Sequence, residues 1–147
     1  MSIASLKKAF IAASILAAAV PGIAQAHGVG GAIDPNGDNP SATILAGVNC
    51  SGGTDFLVAQ VRDDSGFVPG LFLSLHLQKG LKMTSVTDTV SGDNFASAEA
   101  HLAGGDGQYF MSLTKTDAGT RNFDVTWHCM NNNGDHTDTE ISVYQVQ

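Results

Sequence analysis

The sequence predicts an all-β protein, an antiparallel β-sandwich of seven to nine strands, from three observations. Short segments in which apolar and polar residues alternate recur along the chain, as they do in strands with one buried face. Clusters of Gly, Asn, Asp and Ser separate these segments at the spacing of turns. In the segment 122–130 every odd-numbered residue is apolar, including Trp127, the single tryptophan, and Cys129. We expect this segment to be the central strand, with Trp127 in the core.

The remaining elements follow in chain order by the same reasoning. Residues 27–39 are rich in Gly, Pro, Asn and Asp and have no periodicity, which predicts an irregular lead-in. The segment 95–102 is ambiguous, because its alanines suit a helix by propensity while its alternation suits a strand. The strands on either side of it favour a strand. The predicted strands are 41–50, 54–62, 71–78, 82–90, 95–102, 108–114, 122–130 and 137–146.

The first 26 residues have the pattern of a secretory signal peptide. Two lysines precede an apolar run at 9–20, and a small-x-small cleavage site ends at Ala26. The apolar run is shorter than the roughly 20 residues that span a membrane, which argues against a retained anchor. We therefore expect a periplasmic or secreted protein with one domain, residues 27–147, that begins at His27.

The charge of the chain limits its partners. The formal net charge is −7 at pH 7, and every acidic residue follows the predicted signal peptide. An acidic chain without a basic cluster is a poor partner for nucleic acid or for an anionic membrane. No later stretch is long and apolar enough to cross a membrane. A metal cation is the partner we expect, and the sequence identifies no protein partner.

Both cysteines, Cys50 and Cys129, lie in the part expected to be exported, where an oxidising compartment favours a disulfide between them. A thiolate ligand for copper is the alternative, since His128 and Met130 flank Cys129. Adjacent strand residues point to opposite faces, so His128 and Cys129 could not hold one ion without a bulge. A tryptophan two residues before the second cysteine is compatible with an immunoglobulin-like core, although antibody domains place it on another strand.

His27 is the sharpest functional feature of the sequence. If cleavage follows Ala26, the α-amine and the imidazole of His27 are both free and can chelate one ion through two nitrogens. Nitrogen ligands in a plane suit Cu(II), which prefers tetragonal coordination. The α-amine has a reference pKa near 8 and must lose its proton to bind, so affinity should fall in acid. The alternative is that His27 merely happens to begin a disordered tail.

The other four histidines are candidates to complete such a site. His76, His101 and His128 lie on predicted strands and face outward by alternation, whereas His136 lies at the exit of a hairpin loop. Asp135 places a carboxylate beside His136 in that loop, where both side chains can turn to one ion. We therefore favour Asp135 and His136 over the strand histidines.

These motifs resemble those of the periplasmic copper-resistance sandwich proteins. Here a histidine follows the cleavage site, the segment 123–127 alternates up to Trp127, and Gly134-Asp135-His136 precedes the last strand. The resemblance implies an exported immunoglobulin-like sandwich that binds Cu(II) through His27, Asp135 and His136. The chain departs from the family in its loop order, Gly-Asp-His rather than Asp-Gly-His, and in its cysteine pair.

A second resemblance is to the copper polysaccharide oxygenases, whose mature chains often begin with His-Gly, as His27-Gly28 does here. It implies an inner second histidine, for which His101 is the candidate. The chain has one tryptophan and two tyrosines, few for an aromatic surface that grips polysaccharide.

A structural module without metal is the competing class. The alternating last strand is similar to the C-terminal end of chaperone–usher pilins, but residues 27–39 do not have the pattern of their donated strand. The sequence contains no Gly-x-Ser-x-Gly elbow, no phosphate loop and no His-Glu-x-x-His motif. We therefore do not expect an enzyme.

Overall fold

A computed structural model describes residues 27–147, and within them the chain forms nine strands and no helix. The predicted signal peptide, 1–26, lies outside the described residues. None of the described residues forms a helix that could cross a membrane. The strands are β1 (His27–Ile33), β2 (Thr43–Ser51), β3 (Phe56–Asp63), β4 (Leu73–Lys79), β5 (Lys82–Asp88), β6 (Ala100–Ala103), β7 (Gly107–Lys115), β8 (Arg121–Met130) and β9 (Asp138–Gln145).

The strands form two sheets, and the predicted antiparallel sandwich is confirmed. One sheet has four strands in the order β1-β8-β3-β6, and the other has five in the order β5-β4-β7-β2-β9. Every pair of neighbouring strands is antiparallel. β8 lies between β1 and β3, so the segment predicted to be central is an interior strand of the four-stranded sheet.

The four central strands have immunoglobulin-like pairing. In an immunoglobulin domain strand B lies beside E, strand C lies beside F, and a disulfide joins B to F across the sheets. Here β2 pairs with β7, β3 pairs with β8, and the disulfide Cys50–Cys129 joins β2 to β8. The outer strands differ, because β1 takes the place of G beside F and β9 takes the place of A beside B.

The core lies between the sheets and has the predicted alternation. The odd-numbered residues of β8 are buried, and Trp127 retains only 3% of its exposure. Cys50 and Cys129 are each 1% exposed, and their disulfide confirms the predicted pairing. The alternative of a thiolate metal ligand is wrong, because both sulfurs are bonded to each other. A disulfide of this kind is typical of a protein that folds in an oxidising compartment.

The prediction of an irregular lead-in is wrong for its first half, because residues 27–33 form β1. β1 pairs with β8 over its whole length, from His27 opposite Trp127 to Ile33 opposite Arg121. Glycine hides the alternation of β1 in the sequence, because Gly28, Gly30 and Gly31 add no side chain to either face. A Cβ on Gly30 would lie 2.6 Å from the Asp124 carboxylate, closer than side chains approach.

The ambiguous segment 95–102 is a strand only at its end. β6 begins at Ala100, and the residues before it lie in a loop held against β3 by a single residue. The backbone N–H of Ser97 donates to the carbonyl of Val61 at 2.7 Å, and the Val61 N–H donates to the Ser97 hydroxyl at 3.1 Å. The side-chain hydroxyl thus replaces a backbone acceptor, which ends the ladder early.

A buried ion pair fixes the end of β1. Asp34, the next residue, has a positive φ of 55° and accepts a hydrogen bond from the Lys115 ammonium at 2.7 Å, with both side chains almost fully buried. The backbone N–H groups of Asn39 and Gly119 also donate to this carboxylate. Burial raises the pKa of Asp34, but these hydrogen bonds and the charge of Lys115 outweigh it and hold the pKa far below its usual value.

Candidate metal site

β1 brings His27 to the core strand β8. His27 pairs directly with Trp127, so both side chains project to the same face of the sheet. The imidazole and the indole lie nearly parallel, with ring centroids 6.1 Å apart and an interplanar angle of 24°. His27 itself is exposed, because it is the first residue of an edge strand. The residue predicted to be the mature N-terminus therefore rests against the core and is not a free tail.

The hairpin that follows β8 brings two more histidines together. An isolated bridge pairs Met130 with His136, across the loop of residues 131–135. The rings of His128 and His136 lie 4.3 Å apart at 57°. Two imidazoles on adjacent positions of one ion have centroids roughly 4.5 Å apart, given metal–nitrogen bonds of about 2 Å. The observed separation therefore suits two ligands of one metal ion.

The pKa of His128 is influenced by both other histidines, His27 and His136. The pKa of His128 lies below its usual value, chiefly because burial disfavours the charged ring. The positive charges of His136 and His27 lower the pKa further, so both rings lie close enough to repel a proton on His128. The carboxylate of Glu99 acts in the opposite direction. His128 is consequently neutral at pH 7 and has a lone pair available for a metal ion.

One nitrogen of His128 has no partner. Its Nδ1 atom is buried and forms no hydrogen bond to any of residues 27–147. Buried polar atoms in native proteins are nearly always paired with a protein group, a water or an ion. A cavity of about 20 Å³, lined in part by His128, Glu99 and Thr126, lies beside this ring. It has room for a single water or ion.

The predicted ligand Asp135 lies in the same loop but has another partner. Its carboxylate accepts a hydrogen bond from the Asn131 side-chain amide at 3.1 Å, and its backbone N–H donates to the Asn131 side-chain oxygen at 2.9 Å. These bonds close the loop and hold His136 at its exit. Asp135 therefore supports the position of His136, and its carboxylate would have to leave Asn131 to reach an ion.

The predicted ligand His101 lies elsewhere on the same sheet. His101 pairs with Val58, and Val58 pairs with His128, so the two histidines are separated by two strand spacings, about 10 Å. The His101 ring bonds the Glu99 carboxylate at 3.0 Å in an exposed pair. His76 lies on the other sheet, where its ring bonds the Thr114 hydroxyl at 2.9 Å. Neither residue joins the histidine cluster, which we define as His27, His128 and His136.

The sequence reasoning missed His128. The signal was present, because His128 and His136 flank a turn of Asn, Gly and Asp residues, and a hairpin brings its two ends together. Within residues 27–147, no three histidine, cysteine or carboxylate side chains converge closely enough to form a ready-made metal site. The His128–His136 pair is assembled, and the exposed ring of His27 points at Trp127. Comparison with protein-family models, curated proteins and solved structures gave no match.

Proposed function

We propose that this protein, after export and cleavage before His27, binds Cu(II) in the periplasm or outside the cell. The ligands are the α-amine and imidazole of His27 and the imidazoles of His128 and His136. The single observation that supports this most is the 4.3 Å separation of the rings of His128, on β8, and His136, which follows the loop after β8. β8 also pairs with β1, the strand that begins with His27. Asp135, next to His136, is the candidate oxygen ligand.

The donor set favours copper over other metal ions. Four nitrogen donors in tetragonal geometry suit Cu(II), and copper is also the strongest binder in the divalent series. Calcium and magnesium take oxygen ligands, which this cluster lacks apart from Asp135. Closing the site requires more than a turn of the His27 side chain, because His27 projects to the face of Trp127 and His128 projects to the opposite face. The first residue of β1 must leave its pairing with Trp127 to bring its amine and ring to His128. The unpairing is confined to one exposed residue at the end of an edge strand, where backbone pairing opens most readily.

Proton competition gives the proposal a pH signature. The α-amine is protonated below its reference pKa near 8, and a metal ion must displace that proton. The lowered pKa of His128 reduces proton competition at that ligand, because a neutral ring binds copper without losing a proton. We expect the affinity for Cu(II) to fall between pH 8 and pH 5, chiefly through protonation of the α-amine.

The test is a Cu(II) titration of the exported protein in a glycine competition buffer, after mass analysis has verified that His27 is first. Trp127 is the single tryptophan and its ring lies 6.1 Å from that of His27, so bound Cu(II) should quench its fluorescence. We expect His27→Ala and His128→Gln each to weaken binding at least tenfold. His76→Gln is the matched control, because His76 lies on the other sheet.

The competing proposal, a structural or adhesive module without metal, predicts the opposite result. A wild-type protein that binds Cu(II) no more tightly than His27→Ala would rule out the copper site. Equal losses in His76→Gln and His128→Gln would indicate nonspecific binding to surface histidines. The oxygenase version additionally requires peroxide-dependent cleavage of a polysaccharide by the copper-loaded protein.

A further inference from the structure

An apolar cavity of about 150 Å³ opens between β1 and β9, the edge strands of the two sheets. It extends under β2 and β7 as far as Leu75 on β4, three strands in from the β9 edge. None of the side chains that line it is polar or charged. The cavity is thus an apolar channel that leads from the surface into the core and is open to solvent at its mouth.

The cavity exists because small residues lie where the sheets should meet. Gly31 faces inward on β1, opposite Phe123, and has no side chain to fill the space. Ala46 faces inward on β2 and fills little of it. Val143 pairs with Ala46 and faces the same way, yet it is 53% exposed. Inward-facing residues of both edge strands therefore reach solvent at the mouth of the cavity.

Such a space is unusual in a native core. Protein interiors are packed as densely as organic crystals, and few of their voids exceed the size of a water molecule. No polar side chain lines this cavity, so a water inside it would find few hydrogen-bond partners. Apolar cavities of this volume in proteins stay dry and take up benzene-sized molecules.

We propose that the cavity binds an uncharged, apolar small molecule of about six to eight carbon atoms. The volume sets the size, and the apolar lining excludes a charged or strongly polar group, which would lose its hydration without gaining a partner. The acidic net charge of the protein further disfavours anions such as fatty acids. This site goes beyond the proposed copper function and is separate from it, because none of the histidine cluster lines the cavity.

The test uses toluene as the probe and the exported full-length domain. Toluene at about ten times its Kd should raise the thermal unfolding midpoint of the wild-type protein by roughly 5 °C. Saturation-transfer NMR should show a saturable toluene signal. Gly31→Val fills the cavity, although its Cβ would meet Phe123 at 3.2 Å, and Ala46→Val is a second filling variant. Both filling variants should lose the toluene signal and the shift in unfolding midpoint.

Gly28→Val is the matched control, because a Cβ there faces Thr126 on the outer side of the same strand at 3.6 Å. It should bind toluene like the wild-type protein, and so should His27→Ala. The absence of a saturable signal in the wild-type protein would overturn the proposal and leave the cavity a packing defect. An undiminished signal in both filling variants would also overturn it, by placing toluene elsewhere. Neither result bears on copper binding.

Discussion

Breaking the Cys50–Cys129 disulfide should cost this protein a large share of its stability. The bridge joins β2 of one sheet to β8 of the other, and β8 also holds Trp127 and His128. Both cysteines are almost fully buried, so the bond is protected while the sandwich is folded. Reduction breaks the S–S bond but removes no heavy atom from the core. It therefore acts mainly by increasing the conformational entropy of the unfolded chain.

The size of the effect follows from the loop that the bond closes. The two cysteines are 79 positions apart, and by chain entropy a loop of that length stabilises the folded state by about 4.5 kcal/mol. Domains of this size have total stabilities of about 5–15 kcal/mol. The reduced protein should therefore retain roughly 0.5–10 kcal/mol of stability at 25 °C.

The assay is denaturant unfolding of three samples, followed by Trp127 fluorescence. We expect oxidised wild type to be the most stable, reduced wild type to be less stable, and the Cys50→Ala/Cys129→Ala variant to be the least stable. The reduced wild type keeps both sulfurs and isolates the loop term, while the double variant adds the cost of the space that the sulfurs leave. A reduced protein within about 1 kcal/mol of the oxidised one would refute the chain-entropy reasoning.

Two further predictions concern charge and backbone. The pKa of Asp34 is lower in the folded protein than in the unfolded chain, so below about pH 4 the unfolded chain binds more protons than the folded protein does. The free energy of unfolding should therefore decrease as the pH is lowered through this range. Asp34→Asn should flatten this acid dependence in unfolding curves recorded at pH 2–5, and an unchanged slope would contradict the ion pair with Lys115. Gly92→Ala should lower the free energy of unfolding more than Gly80→Ala does in denaturant unfolding. Both glycines have a positive φ, which costs an alanine about 1–2 kcal/mol. Only at Gly92 would the new Cβ also clash, because it would lie 2.8 Å from the Ser65 carbonyl oxygen. Equal costs would contradict that contact.

Much of the fold could be predicted because its signals are local. β8 alternates within ten residues, and the alternation alone assigned Trp127 and Cys129 to the core. The disulfide followed because the two cysteines of a chain predicted to be exported have only each other as partners. The prediction failed at β1, where three glycines remove the side chains on which alternation depends.

The candidate site was predicted only in part, for the same physical reason. His27 and His136 could be singled out from a cleavage pattern and a loop motif, which are contiguous in the chain. Alternation did not select His128 over His101 or His76, because all three face outward on strands. Only the hairpin register places the His128 ring against His136 and leaves its Nδ1 without a partner among residues 27–147.

The sequence by itself determined the strands with regular side-chain alternation, the disulfide and the acidic character of the chain. The tertiary structure alone decided which strands are neighbours, that β1 joins β8 while β9 joins β2, and where the two sheets part to leave a cavity. The physical reason is that strand patterns record which face is buried, whereas partners and gaps depend on side-chain volumes from distant parts of the chain. Gly31 and Ala46 show this, because their small size matters only where β1 and β2 face each other across the core.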